Sequence, residues 1–383
     1  MAIFQEKGWM INVERKTYYA LDVAKFISAF LVVCIHTGPL LDVDATGNFI
    51  LVQILARLAV PFFFVASGFL FFRKLDFKRE YNDYENKAQL KHYLWRLCKI
   101  YIIWTILYLP FTYLLLKGQD GITVNSVLLY VRDFFFTGSF YHLWFLPALL
   151  VAVPVVYICL FKLGLGKTIL FGFLLYLIGM AGNVYGGYLM QIPGIQSVYQ
   201  AYLQVFSTTR NGLFFGVMFI AMGALFAQRT LYLKNWQVLL GFLLSAGLLF
   251  AECFALKDNG FMHDLTSMYA MLLPCMFFLF LGLLRIHLPQ SKVYKTLRVL
   301  SLLIYVMHIM FVNLPASGMA ADEFSGCLRT GYAADAHYVL LYIICSQKTL
   351  VFKASLCLNR RNIMLRIQQN QADTFRITGS AAG

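Results

Sequence analysis

Charge is what this chain has least of. Only 13% of its 383 residues are Asp, Glu, Lys or Arg, and the acids number 18 against 32 basic residues. With 60% of residues hydrophobic and a mean hydropathy of +0.68, there is more apolar surface than one water-facing core can bury, which excludes an ordinary soluble globule. Paired cysteines are missing too. The eight present, Cys34, Cys98, Cys159, Cys253, Cys275, Cys327, Cys345 and Cys357, stand singly with no CxxC or metal-ligand spacing. They read as small hydrophobes, and no metal is expected. Internal repeats and low-complexity tracts are lacking, and no small-residue cleavage site follows the first apolar run, so a cleavable signal peptide is not expected.

What the chain does hold is a series of apolar runs, at 18–40, 49–72, 93–116, 141–161, 168–185, 210–228, 236–256, 266–284 and 297–315. Each approaches the ~20 residues that cross a bilayer as a helix. A weaker run, His337 to Val351, carries Gln347 and Lys348. The expected fold is therefore an all-α integral membrane bundle of nine to ten transmembrane helices. Its parts are an amino-terminal segment, 1–17, a transmembrane domain, 18–315, and a divergent tail, 316–383, with a possible tenth helix. The loss of pattern after Pro315 fits a truncated or frameshifted carboxyl end.

Basic residues fall in alternate loops. Arg15 and Lys16 precede the first run; Arg73, Lys74, Lys78, Arg79, Lys87 and Lys91 crowd the second link; Lys162 and Lys167, Arg229 and Lys234, and Arg285 and Lys292 follow in every second loop. The intervening loops are nearly bare of Lys and Arg. By the positive-inside rule the amino terminus is expected in the cytoplasm, in a multi-pass protein of the cell membrane. The formal charge of +14 is thus a topology signal, and no nucleic-acid partner is expected.

Ionisable groups inside spans are costly and usually face a bundle interior. In "LDVAKFISAFLVVCIHTGPL", Lys25 and His36 lie eleven positions apart, close to three full turns and about 16 Å along a helix. They share a face at opposite depths, with Asp22 placed to neutralise Lys25 at i,i+3. An interfacial ion pair with a helix-end histidine is the structural alternative. Arg57 lies well inside the second run and needs an acceptor or an anionic ligand; Pro61 and Ser67-Gly68 read as packing features. His142 and Trp144 stand at the outer start of the fourth run, and Tyr305 and His308 at i,i+3 in the ninth. His36, Arg57, His142 and His308 all map to the outer half of the bilayer. The uncharged loop 182–209, rich in Tyr, Gln and Gly, ends where Arg210 starts the next run.

The segments "LDVAKFISAFLVVCIHT", "RLAVPFFFVASGF", "YHLWFLPALL", "RNGLFFGVMFIAMGALFA" and "LSLLIYVMHIMFV" together resemble the integral-membrane acyltransferase-3 family. Within it the likeness is to the subgroup that includes the membrane domain of the vancomycin-resistance serine racemase VanT. The resemblance covers roughly 18 to 315 and implies ten helices that move acyl groups, usually acetyl from cytosolic acetyl-CoA, onto hydroxyls of cell-surface or exported glycans. The family's basic residue and histidine fall on Lys25 and His36; Lys25 departs from the arginine common there and offers no planar fork.

The expected function is a membrane O-acyltransferase with acetyl-CoA or another acyl-CoA as donor, a glycan acceptor and no metal. The catalytic set is His36, Arg57, His142 and His308: a histidine accepts and releases protons near neutrality, and an arginine steadies developing negative charge. Lys25 and Asp22 would line the donor's cytosolic approach, and Trp144, Arg210 and Tyr305 would contact the acceptor. Transport of a small zwitterion such as serine, with Arg57 holding its carboxylate, is the alternative; a scaffold whose ionisable residues only fix helix packing is a third.

Overall fold

Inside hydrocarbon every backbone N–H and C=O must be satisfied within its own segment, so apolar runs of this length fold as helices. The computed structural model describes residues 17–118, 122–262 and 266–313, and among these no strand occurs. The tail 316–383, its expected tenth helix and the amino-terminal segment up to Lys16 lie outside the described residues.

Seven helices are long and apolar enough to cross a membrane. They are α1 (Tyr19–Thr37), α2 (Ala45–Phe72), α3 (Tyr84–Gly118), α5 (Phe145–Leu163), α6 (Leu165–Asn183), α9 (Asn235–Asp258) and α11 (Val293–Asn313). Two further apolar helices, α8 (Gly212–Gln228) and α10 (Leu272–Arg285), are shorter. The expected run at 266–284 is shortened because residues 266–271 are not helical. Their backbone is held from the side: Asn183 Oδ1 accepts from the N–H groups of Ser267 and Met268, and the Glu252 carboxylate from those of Ala270 and Met271.

Two helices of more than two turns have no counterpart among the expected runs. α4 (Val124–Phe136) and α7 (Ile195–Phe206) are short and amphipathic. They pack on each other through Phe136 and Phe206 and through an Arg132 hydrogen bond to the Gln204 carbonyl. Part of the presumed loop 182–209 is therefore a helix, anchored by Tyr199 donating to the Gly182 carbonyl at 2.6 Å.

The centre of the bundle is α2, most of whose apolar stretch is buried, whereas α3 and α9 leave most of theirs facing outward. α2 meets α8 at a glycine crossing. A Cβ on Gly68 would stand 2.6 Å from the Ile220 carbonyl oxygen, and one on Gly223 2.4 Å from that of Val65. Small residues at such crossings let backbones approach closely, since packing rather than water exclusion joins helices in lipid.

α1 and α11 lie side by side and run the same way. Asp22 meets Arg298 at their starts, and His36 meets His308 at their ends. The basic loops gather at the starting end, where Arg73 stacks over Tyr18 and Lys162 over Tyr81.

Candidate active site

The other end of the bundle holds His36, His142 and His308. The His36 ring, in the last turn of α1, lies 5.2 Å from that of His308 between centroids and 5.3 Å from Tyr141. His142 stands 5.1 Å from His308. It sits in a turn before α5 rather than on the helix itself. That turn depends on Gly138, whose φ of +97° is a conformation side chains disfavour and whose Cβ would stand 2.6 Å from the Trp144 nitrogen.

Backbone and hydroxyl groups fix this cluster. Tyr305 donates to the His142 carbonyl at 2.6 Å, and Tyr108 donates to the Val306 carbonyl at 2.8 Å. His308 Nδ1 lies 2.8 Å from the Tyr305 carbonyl and 3.1 Å from that of Ile304. Carbonyls only accept, which assigns the proton to Nδ1 and leaves Nε2 a lone pair. That buried Nε2, like Nδ1 of His142, has no hydrogen-bond partner among the described residues.

Arg57 is 4% exposed. The backbone of α2 departs from regular helix here: Ile50–Leu55 forms a π-helical stretch and Ala56–Leu58 a tight 3-10 turn. Pro61 has no N–H to give the Arg57 carbonyl. Gln53 Oε1 accepts from Arg57 Nε at 3.0 Å and from one terminal nitrogen at 2.6 Å. A second π-helical stretch, Gly212–Gly216, follows Arg210. Arg210 thus precedes α8 rather than starting it, and Asn211 caps that helix by accepting from Leu213 and Phe214. The Arg210 guanidinium lies 4.8 Å above the Trp144 ring.

His36, Arg57, His142, Trp144, Arg210 and Tyr305 line one cavity of about 320 Å³. His308 packs behind it, against His36 and His142. Gln53 and Ser267 also line it; sequence reasoning passed over both, since a lone amide or hydroxyl in an apolar run carries no pattern. A groove of about 370 Å³ between α9 and α10 is mostly apolar, with Asn235 and Arg285 as its polar groups. Of the two, the histidine cavity is the one with convergent chemistry.

Lys25 and Asp22 lie away from this cavity, at the starting end of α1. Asp22 is 4.0 Å from Lys25, but its stronger partner is Arg298, which donates to both carboxylate oxygens at 3.0 and 2.6 Å. The expected i,i+3 neutralisation is thus a minor contact. Among the described residues no group of three or more His, Cys, Asp and Glu side chains could hold a metal ion.

A family profile described as an acyltransferase domain matches residues 18–343. An amino-acid racemase of Enterococcus faecalis is 32% identical over 295 residues, covering 76% of this chain and 40% of that protein. A serine/alanine racemase of Enterococcus gallinarum is 31% identical over 290 residues, covering 75% and 40%. The chain therefore spans about two fifths of the length of these curated relatives. No solved structure matches.

Proposed function

Because the chain belongs to the acyltransferase-3 family, we propose that it is a membrane O-acyltransferase that moves an acyl group, acetyl in the simplest case, from cytosolic acyl-CoA to a hydroxyl of a cell-surface or exported glycan. In this reading the chain crosses the cell membrane nine to ten times with its amino terminus in the cytoplasm, and the histidine cavity lies in the outer half of the bilayer. The observation that carries it is the meeting of His36 with Arg57 and Arg210 on one small cavity, backed by His308 with a bare ring nitrogen.

His36 takes the proton of the acceptor hydroxyl as its oxygen attacks the thioester carbonyl. The carbonyl oxygen gains charge and is steadied by the Arg57 guanidinium, whose plane Gln53 sets. Collapse of the intermediate breaks the C–S bond, and the proton passes to the leaving thiolate. If the acyl group first rests on His36, the same balance is reached in two displacements. His308 and His142 orient His36 and share its proton, while Lys25 and Asp22 border the donor's approach.

The relatives favour one second reading. They are amino-acid racemases that this chain matches over only part of their length, so the shared portion could instead pass a small amino acid such as serine across the membrane. Membranes given radiolabelled acetyl-CoA decide between the two. Acyl transfer predicts label in glycan, and its loss by about 10²–10⁴-fold in a His36→Ala variant that remains inserted and abundant. Uptake of labelled serine with no glycan labelling would replace the first reading by the second.

A further inference from the structure

α9 and α10 run antiparallel: Arg285, at the end of α10, donates to Asn235 Oδ1, at the start of α9, at 2.9 Å. The groove of about 370 Å³ between them is walled by Val238, Leu239 and Phe242 on one side and by Phe278, Leu279 and Gly282 on the other. From Asn235 to Phe242, or from Arg285 back to Phe278, is about 10 Å along a helix. The groove therefore descends from the polar end through much of one leaflet's half of the ~30 Å hydrocarbon core. Gly282 keeps it open. Among the described residues a Cβ built there would meet only the Val238 side chain, at 3.8 Å, whereas one on Gly241 would stand 2.5 Å from the Phe278 ring. Gly241 thus serves close packing, while Gly282 weakens its helix and leaves a notch.

The polar end of the groove is cationic. Both hydrogen-bond partners of Arg285, the Asn235 amide oxygen and the Leu231 carbonyl at 3.2 Å, are neutral, so they set the plane of the guanidinium and keep its charge. The adjoining loops, 229–234 and 286–292, add Arg229, Lys234 and Lys292 and contain no Asp or Glu. We infer that the groove binds one anionic glycerophospholipid, with its phosphate on Arg285 and one acyl tail laid along Val238, Phe242 and Gly282. Phosphate oxygens accept strong charge-assisted bonds from a guanidinium, and basic pockets between membrane helices suit such headgroups. A soluble phosphate would leave the apolar walls uncovered, and a neutral lipid would leave the cations without an anion. A molecule with both parts uses the whole groove. With the amino terminus in the cytoplasm, the lipid belongs to the cytoplasmic leaflet. The inference does not depend on acyl transfer.

The test is titration of the purified full chain in detergent with dioleoylphosphatidylglycerol or zwitterionic dioleoylphosphatidylcholine, read by native mass spectrometry and by thermal midpoint. Phosphatidylglycerol should add one tightly held copy and raise the midpoint saturably, and phosphatidylcholine should do neither. Arg285→Gln should weaken that copy roughly fivefold or more, the usual worth of one basic residue at an anionic lipid surface. Gly282→Leu fills the notch and should abolish it; this variant decides the matter if the arginine variant fails to fold. A photo-crosslinking residue in place of Leu239, which is exposed on the groove wall, should capture the lipid. Equal affinity for the two lipids, equal binding of oleate or glycerol phosphate, or unchanged affinity in Gly282→Leu would overturn the proposal. So would a crosslink from position 239 to a second copy of the chain or to residues 316–383 in place of lipid.

Discussion

The two ends of the α1–α11 pair contain the same kinds of residue and use them differently. At one end Asp22 receives both donors of Arg298 and stands near Lys25, so the charges close on each other. At the other, Arg57 is gripped by Gln53, Arg210 lies over Trp144, and both line the histidine cavity. A closed ion pair holds helices in register; arginines that line a cavity can reach whatever enters it. Residue type alone does not separate structure from function here, and the place of each arginine, closed on an acid or lining a cavity, does.

The comparison breaks outright if the two ends lie on one side of the membrane. Single cysteines at Lys78 and Gln196, each in a background stripped of native cysteines, should label from opposite faces all or none, with Gln196 reached from outside. Same-face labelling would remove the outer placement of His36.

Matched arginine replacements sharpen it further. Arg57→Lys keeps the charge and loses the fork, so acyl transfer should fall roughly 10²–10³-fold, the loss typical of one oxyanion donor. Arg298→Lys makes the same change at the closed end. It should leave transfer within about twofold and lower the thermal midpoint of the solubilised protein by an amount worth roughly 1 kcal/mol, because its partner Asp22 is buried while Arg298 itself is half exposed. Equal losses of activity from the two variants would mean that both arginines serve one function.

The smallest effect is expected from Tyr305→Phe, which removes the hydroxyl that holds the His142 carbonyl. A single hydrogen bond is worth about 1 kcal/mol, so a loss of several-fold in kcat with little change in KM is expected. An unchanged kcat would show that His142 needs no such support.

Much of this arrangement was legible in the sequence. The positions of His36, Arg57, His142 and His308 within their apolar runs put all four at one depth, and depth along a helix is what spacing encodes. Which groups touch was not legible. Arg298 lies 276 residues from Asp22, and no local period reports such a pairing. α4 and α7 escaped because helices of 13 and 12 residues are too short to read as spans. The π-helical stretches before Arg57 and after Arg210 are rare departures from the regular helix that a hydrophobic period does not report.

The Asp22–Arg298 clasp also orders events in time. At about 5–20 residues per second, the ribosome delivers Arg298 roughly 14–55 s after Asp22. During that interval Asp22 has Lys25, three residues on, within reach on its own helix. The i,i+3 contact, minor in the finished protein, is then the partner the nascent chain has at hand, and the exchange of Lys25 for Arg298 marks the moment when the first helix stops being a lone insert and becomes part of an assembled bundle.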